Sequence, residues 1–175
     1  MTCCLNPDCQ NPLNPDGFKF CQCCGTKLVL LRNRYRPIQP LGRGGFGKTY
    51  LAEDIDKLNE RCVIKQFTPQ IKGIGALEKA TQLFEQEARR LQQLGQHPQI
   101  PALLAYFKDG NDLYLVQEFI EGQTLQTELE QYGIFSEFKI RELLLDFLAV
   151  LKFVHQQGVI HRDIKPDNII RRRQD

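Results

Sequence analysis

The stretch His161-Arg162-Asp163-Ile164-Lys165-Pro166-Asp167-Asn168 decides how this chain is read. Polar identities at fixed spacing follow a predicted helix and Gly158: an acid, a lysine two places on, an asparagine three beyond that. Upstream lie a glycine-rich segment, Leu41-Gly42-Arg43-Gly44-Gly45-Phe46-Gly47-Lys48-Thr49, and then Cys62-Val63-Ile64-Lys65. Glycines let a backbone approach phosphates closely and aim N–H groups at them. The same Gly-x-Gly-x-x-Gly letters serve dinucleotide folds, but there the third glycine opens a helix. Here a strand is predicted after it, which favours a hairpin; by itself the motif also fits a tight turn that holds nothing.

Working outward, 175 residues suffice for one ordinary domain, or for a small module followed by part of a larger one. With 42% apolar and 25% charged residues the composition is that of a soluble globular protein. A net charge of +2 gives no field that favours nucleic acid or an anionic membrane as partner. The run Arg171 to Arg173 is too short to alter that, and reads as a solvated turn. No apolar run approaches the roughly 20 residues that cross a bilayer, and Met1 is followed by cysteines rather than by a signal sequence. The expected location is the cytoplasm. Six of the seven cysteines fall in the first 24 residues, and in a reducing compartment such a cluster suggests metal more than disulfides.

Composition shifts near Leu28, placing a boundary between Lys27 and Arg34. Leu28 to Leu31 is expected as a short strand closing the first module. Strands are predicted from Tyr35, over Thr49 to Glu53, Arg61 to Phe67, Ala102 to Phe107 and Asp112 to Gln117, with a turn at Asp109-Gly110-Asn111. Between the third and fourth, residues 77, 80, 83, 84, 88, 91 and 94 repeat at helical spacing, and Gly95 stops the helix. After Gly122 the chain turns helical, over Thr124 to Tyr132 and then from an N-cap at Ser136 to Gly158. Leucine, valine and phenylalanine cover almost the whole circumference of that last helix, so it must be buried on nearly all sides.

Taken together, the loop at 161–168, the glycine segment and Lys65 resemble a bacterial serine/threonine protein kinase of the eukaryotic-like family. The resemblance implies an α+β fold: a kinase N-lobe of five antiparallel strands plus one helix over 35–121, and the first helices of the C-lobe over 122–175. It implies that Asp163 accepts the proton of the substrate hydroxyl, Lys165 steadies the transferred phosphoryl and Asn168 binds Mg²⁺. Lys165 at that position is similar to serine/threonine rather than tyrosine kinases. Residues 41–49 would cover the phosphates of ATP, and Lys65 would hold them while pairing with a helix glutamate. Phe84-Glu85-Gln86-Glu87-Ala88 resembles the segment around that partner; Glu87 is preferred and Glu85 is the alternative. Leu115 to Gly122 looks like the hinge, with Gln117 as gatekeeper and backbone groups of Glu118 and Ile120 reading adenine.

The prefix, residues 1–31, carries Cys4-x4-Cys9 and, eleven residues on, Cys21-x2-Cys24. Two such pairs can hold one Zn²⁺ through four thiolates and so fold a module without a core of its own. Cys3 and Cys23 are spare, and either can replace its neighbour. The arrangement resembles the four-cysteine, zinc-ribbon-like prefix of some bacterial serine/threonine kinases.

The family continues to an Asp-Phe-Gly segment whose Asp carries Mg²⁺. Within these 175 residues it does not occur, so the chain alone is expected to have little activity, and its long apolar helix to need a covering protein. The reading is a partial serine/threonine kinase using ATP, Mg²⁺ and Zn²⁺, with a protein Ser/Thr hydroxyl as acceptor. The alternative is an inactive nucleotide-binding or zinc-dependent interaction module descended from one.

Overall fold

Successive residues of a strand point to opposite faces of a sheet, so the central strands of this chain sort their side chains into two layers. The structure, a computed structural model, describes residues 1–44, 47–68, 74–110 and 112–173. The order is β1 (Thr2–Cys3), β2 (Leu13–Asn14), β3 (Tyr35–Gly44), β4 (Gly47–Asp54), β5 (Glu60–Phe67), α1 (Ile74–Leu94), β6 (Leu103–Asp109), β7 (Asp112–Glu118), β8 (Gly122–Thr124), α2 (Leu125–Tyr132), α3 (Glu137–Gln156) and β9 (Ile170–Arg172). Short 3₁₀ turns lie at Ile55–Lys57 and Pro166–Asn168. Strands β3 to β7 form one antiparallel sheet in the order β3-β4-β5-β7-β6; β1-β2 and β8-β9 are two-stranded ribbons. Two compact units result, residues 1–96 with 101–119, and residues 97–100 with those from 120 onward.

In the first unit, Phe67 of β5 and Leu115 of β7 point to one face of the sheet and pack with Ala80, Phe84 and Ala88 of α1. Those three helix positions recur every four residues, which puts them on one stripe. The Phe84 ring sits 5.1 Å from that of Phe67 and 6.1 Å from that of Tyr106. Cys62 and Ile64 of β5 and Tyr114 and Val116 of β7 take the opposite face, with Ala52, Tyr35 and Phe107. That second face is covered by the first 31 residues: Leu31 is part of its core and Leu5 packs against it. This is the five-stranded sheet with one helix expected from the sequence. The expected strand at Leu28 to Leu31 does not form; only Leu31 bridges to Tyr35, and its side chain is drawn into the sheet's core.

In the second unit, β8 pairs with β9 in the register Gly122–Arg172, Gln123–Arg171 and Thr124–Ile170. Thr124 caps α2 by accepting a hydrogen bond from Thr127 N–H (3.1 Å), and Ser136 caps α3 by accepting from Lys139 N–H (3.3 Å). Of the long helix α3 only Val154 is buried, while Leu145 stands 72% exposed. Among the described residues no helix is long and apolar enough to cross a membrane.

Candidate functional site

Strand parity places Lys65. It lies two residues before Phe67, hence on the α1 face of the sheet, opposite Leu115 in register. There its ammonium pairs with the Glu87 carboxylate at 2.5 Å. Glu87 directly precedes the buried Ala88 and lies three residues after Phe84, on the edge of the helix stripe that faces the sheet. Glu85 makes no ion pair with Lys65; its charge lies near Tyr106.

The glycine segment is the β3–β4 hairpin. Leu41, Gly42, Arg43 and Gly44 end β3, and Gly47, Lys48 and Thr49 open β4. Gly45 and Phe46 lie outside the described residues, as does Asn111 of the expected turn. A side chain at Gly47 is excluded, because its Cβ would stand 1.8 Å from the Gln66 carbonyl oxygen of β5. At the end of β7, Glu118 N–H donates to Ala102 O (2.9 Å), and Ala102 N–H donates to the Glu118 carboxylate (3.2 Å). Ile120 follows β7 as irregular chain.

In the second unit, the loop after Gly158 gathers three expected groups. The Asn168 amide donates to the Asp163 carboxylate at 2.8 Å and to the Asp163 carbonyl at 2.9 Å. Lys165 Nζ lies 3.5 Å from the other carboxylate oxygen. His161 Nδ1 accepts from Asp163 N–H (3.3 Å), a structural bond that turns the loop, and Arg162 adopts φ +64. A carboxylate held beside an ammonium and a carboxamide, all open to solvent, can accept a proton and offer oxygen to a cation.

Four cysteines converge at the N-terminus. The Sγ atoms of Cys4, Cys9, Cys21 and Cys24 all lie within 4.8 Å of one another, with Cys4–Cys24 at 3.6 Å and Cys9–Cys21 at 3.7 Å. Tetrahedral thiolates about 2.3 Å from one zinc stand about 3.8 Å apart, so the donor set fits such an ion. Cys3 turns away, its thiol directed at the Cys4 carbonyl, and Cys23 is exposed outside the cluster. Burial pushes the Cys4 thiol up to about 11, and raises Cys9 as well. Burial also acts on Cys21, but the N–H groups of Cys24 and Cys23 and the Asn14 amide outweigh it and lower its pKa. Hydrogen bonds from Thr26 bring Cys24 down to about 6. Asn14, fully buried, ties the two halves of the module: its amide donates to Pro12 O and Cys21 Sγ, and its oxygen accepts from Gln22 N–H. Sequence reasoning passed over Asn14; an asparagine between two cysteine pairs was the available signal.

A family model described as the protein kinase domain matches residues 35–175. The chain belongs to the protein kinase family. Serine/threonine-protein kinase B of Synechocystis sp. is 44% identical over 176 residues, covering 100% of this chain and 30% of that relative. Serine/threonine-protein kinase C of the same organism is 52% identical over 152 residues, covering 86% and 28%. Among solved structures, one described as the apo form of PpkA-294 superposes with a TM-score of 0.71 at 26% identity, covering 92% of this chain and 58% of that one. This kinase chain thus spans about a third or less of the curated relatives it matches.

Proposed function

We propose that the protein carrying this chain transfers the γ-phosphoryl group of ATP to serine or threonine hydroxyls of protein substrates. The observation that carries the reading is the loop constellation, with the Asp163 carboxylate held between the Asn168 amide and the Lys165 ammonium. Asp163 accepts the hydroxyl proton, Lys165 steadies the phosphoryl in transit, and Asn168 is a Mg²⁺ ligand. Mg²⁺, when bound, neutralises charge on the phosphates. The hairpin 41–49, Lys65 and Glu87 form the phosphate-holding set, and backbone groups of Glu118 and Ile120 read adenine. In this reading residues 1–31 are the prefix, 35–121 the N-lobe and 122–175 part of the C-lobe.

We further propose that Cys4, Cys9, Cys21 and Cys24 hold one structural Zn²⁺, supported by their spacing and by the two thiols already biased towards thiolate. Such a site belongs in a reducing, cytoplasmic setting. A protein segment covering α3 is also part of the reading, supported by its exposed Phe138, Leu145 and Leu148.

The test is phosphoryl transfer by the protein isolated from its native cells. Asp163→Asn is expected to lower transfer by about 10²–10⁴-fold while ATP still binds. Transfer unaffected by that substitution would sink the proposal. ATP binding without Mg²⁺ and without transfer would point to the non-catalytic module instead.

A further inference from the structure

We propose that Glu128 is a positioning residue for the phosphoryl-transfer loop, holding the segment just beyond Asn168 through an ion pair between its buried carboxylate and Arg171. The inference rests on the kinase reading for its catalytic consequence, and on geometry alone for its structural half. Helix α2 buries Leu125, and Glu128, three residues on, falls on the same face. A carboxylate taken out of water there must be paired. With its side chain only 7% exposed, Glu128 accepts from Arg171 Nε at 2.8 Å and from Lys139 Nζ at 3.3 Å. One carboxylate therefore joins α2, the first turn of α3 and strand β9.

Arg171 stands three residues after Asn168, so what fixes Arg171 limits where the Asn168 carboxamide can go. The backbone supports the same anchorage: Leu125 N–H donates to Ile169 O (2.9 Å), and Thr124 pairs with Ile170. Gly122 of β8 permits the close approach, since a Cβ there would stand 2.0 Å from the Arg171 carbonyl oxygen. The loop itself has little else to hold it. Residues 161–168 are all exposed, and the 3₁₀ turn at Pro166–Asn168 buries nothing. Asn168 is thus tied on one side to Asp163, by the amide bonds described above, and on the other to α2 through Arg171 and Glu128. Arg171 Nη2 is buried without an acceptor, so among the described residues removal of Glu128 would leave the guanidinium without its carboxylate partner.

The experiment compares Glu128→Gln, Arg171→Gln and the double variant in the full-length protein, by amide hydrogen exchange and by the Mg²⁺ dependence of transfer. Glu128→Gln is expected to speed exchange over residues 168–172 by about tenfold or more while residues 143–154 of α3 keep their rates. It should also raise the Mg²⁺ concentration for half-maximal transfer by about fivefold with the KM for ATP nearly unchanged. Arg171→Gln should reproduce both effects, and the double variant should be no worse than either single one, as for two groups acting as one unit. Exchange unchanged at 168–172, exchange raised equally along α3, or additive single effects would each overturn the proposal. Raised local exchange with an unaltered Mg²⁺ requirement would overturn the link to Asn168. Should transfer prove indifferent to Asp163, the kinase reading fails and the exchange data alone decide the anchorage. If Glu128→Gln does not fold, Arg171→Gln, at a side chain 35% exposed, gives the same two readings.

Discussion

Asp54 is 1% exposed, and its two carboxylate oxygens accept from Arg34 Nε and Nη2, both at 2.7 Å. Those bonds hold its pKa below the ordinary 3.8. A carboxyl depressed in the folded state contributes stability above its unfolded pKa, and that contribution is lost as pH falls below about 3.8 towards the folded value. Asp54→Asn is therefore expected to cost about 2 kcal/mol at pH 7, less than a fully buried pair because Arg34 is partly solvated. The same variant should flatten the acid limb of a pH series of urea unfolding curves; a limb as steep as in the unaltered protein would refute this. Glu87 carries a second residue-scale prediction. Glu87→Ala should lower kcat/KM for ATP by at least about tenfold, whereas Glu85→Ala should leave it within about twofold; the reverse order in steady-state kinetics would reassign the Lys65 partner. Helical spacing favoured Glu87, next to Ala88 and one turn before Leu91, but kept Glu85 as an alternative because either can stand on a solvated edge. The ion pair agrees with that preference, and the sheet explains it: the parity of Lys65 with Phe67 aims it at the face on which Ala80, Phe84 and Ala88 pack.

At the scale of elements, α1 is held to the sheet by Phe84, whose ring touches both Phe67 and Tyr106. Phe84→Ala should destabilise the first unit by about 3–5 kcal/mol, and by loosening α1 should weaken ATP binding, as is expected of Glu87→Ala. Chemical denaturation and nucleotide titration of the one variant check both; a stable variant with normal ATP affinity would mean that α1 is positioned by something other than its core stripe. This helix was legible because its apolar positions recur with a period that only one element type satisfies. Helix α3 was legible from its Ser136 cap and the Gly158 stop rather than from a stripe, and the dense leucines that forecast too little cover include the exposed Leu144, Leu145 and Leu148. Leu28 to Leu31 misled because a short apolar run says that it is buried but not how. Leu31 packs with Tyr35 and Phe107 and Leu28 against the cysteines, while Val29 and Leu30 stay exposed, and no ladder joins the four. The Glu128–Arg171 pair was invisible for a related reason: 43 residues separate its members, and nothing in either neighbourhood marks the other.

At the scale of the molecule, the first 31 residues are no appendage to the sheet. Their own buried cluster is Cys4, Cys9 and Cys21 with Leu28 against it, too little apolar surface to fold alone. The rest of their apolar contact is made with the kinase sheet, through Leu5 and Leu31 on the face formed by Cys62, Ile64, Tyr114 and Val116. Tyr50, beside the cysteines, is 1% exposed beneath this cover, its hydroxyl bonded to Gln66. Metal in the cysteine cluster should therefore stabilise the whole first unit rather than the prefix alone. Chelation under reducing conditions is expected to lower the unfolding temperature of that unit by at least about 5 °C, in a single transition that also carries the near-ultraviolet signal of its buried tyrosines. Cys4→Ser with Cys24→Ser should do the same without a chelator; added Zn²⁺ should restore the original temperature to the chelated protein but not to the substituted one. A chelated protein that loses its metal yet melts at the original temperature would show instead that the sheet keeps its outer face covered without the cluster. That outcome would separate the stability of the lobe from the prefix, against the continuity of packing that joins Leu5 to Ile64.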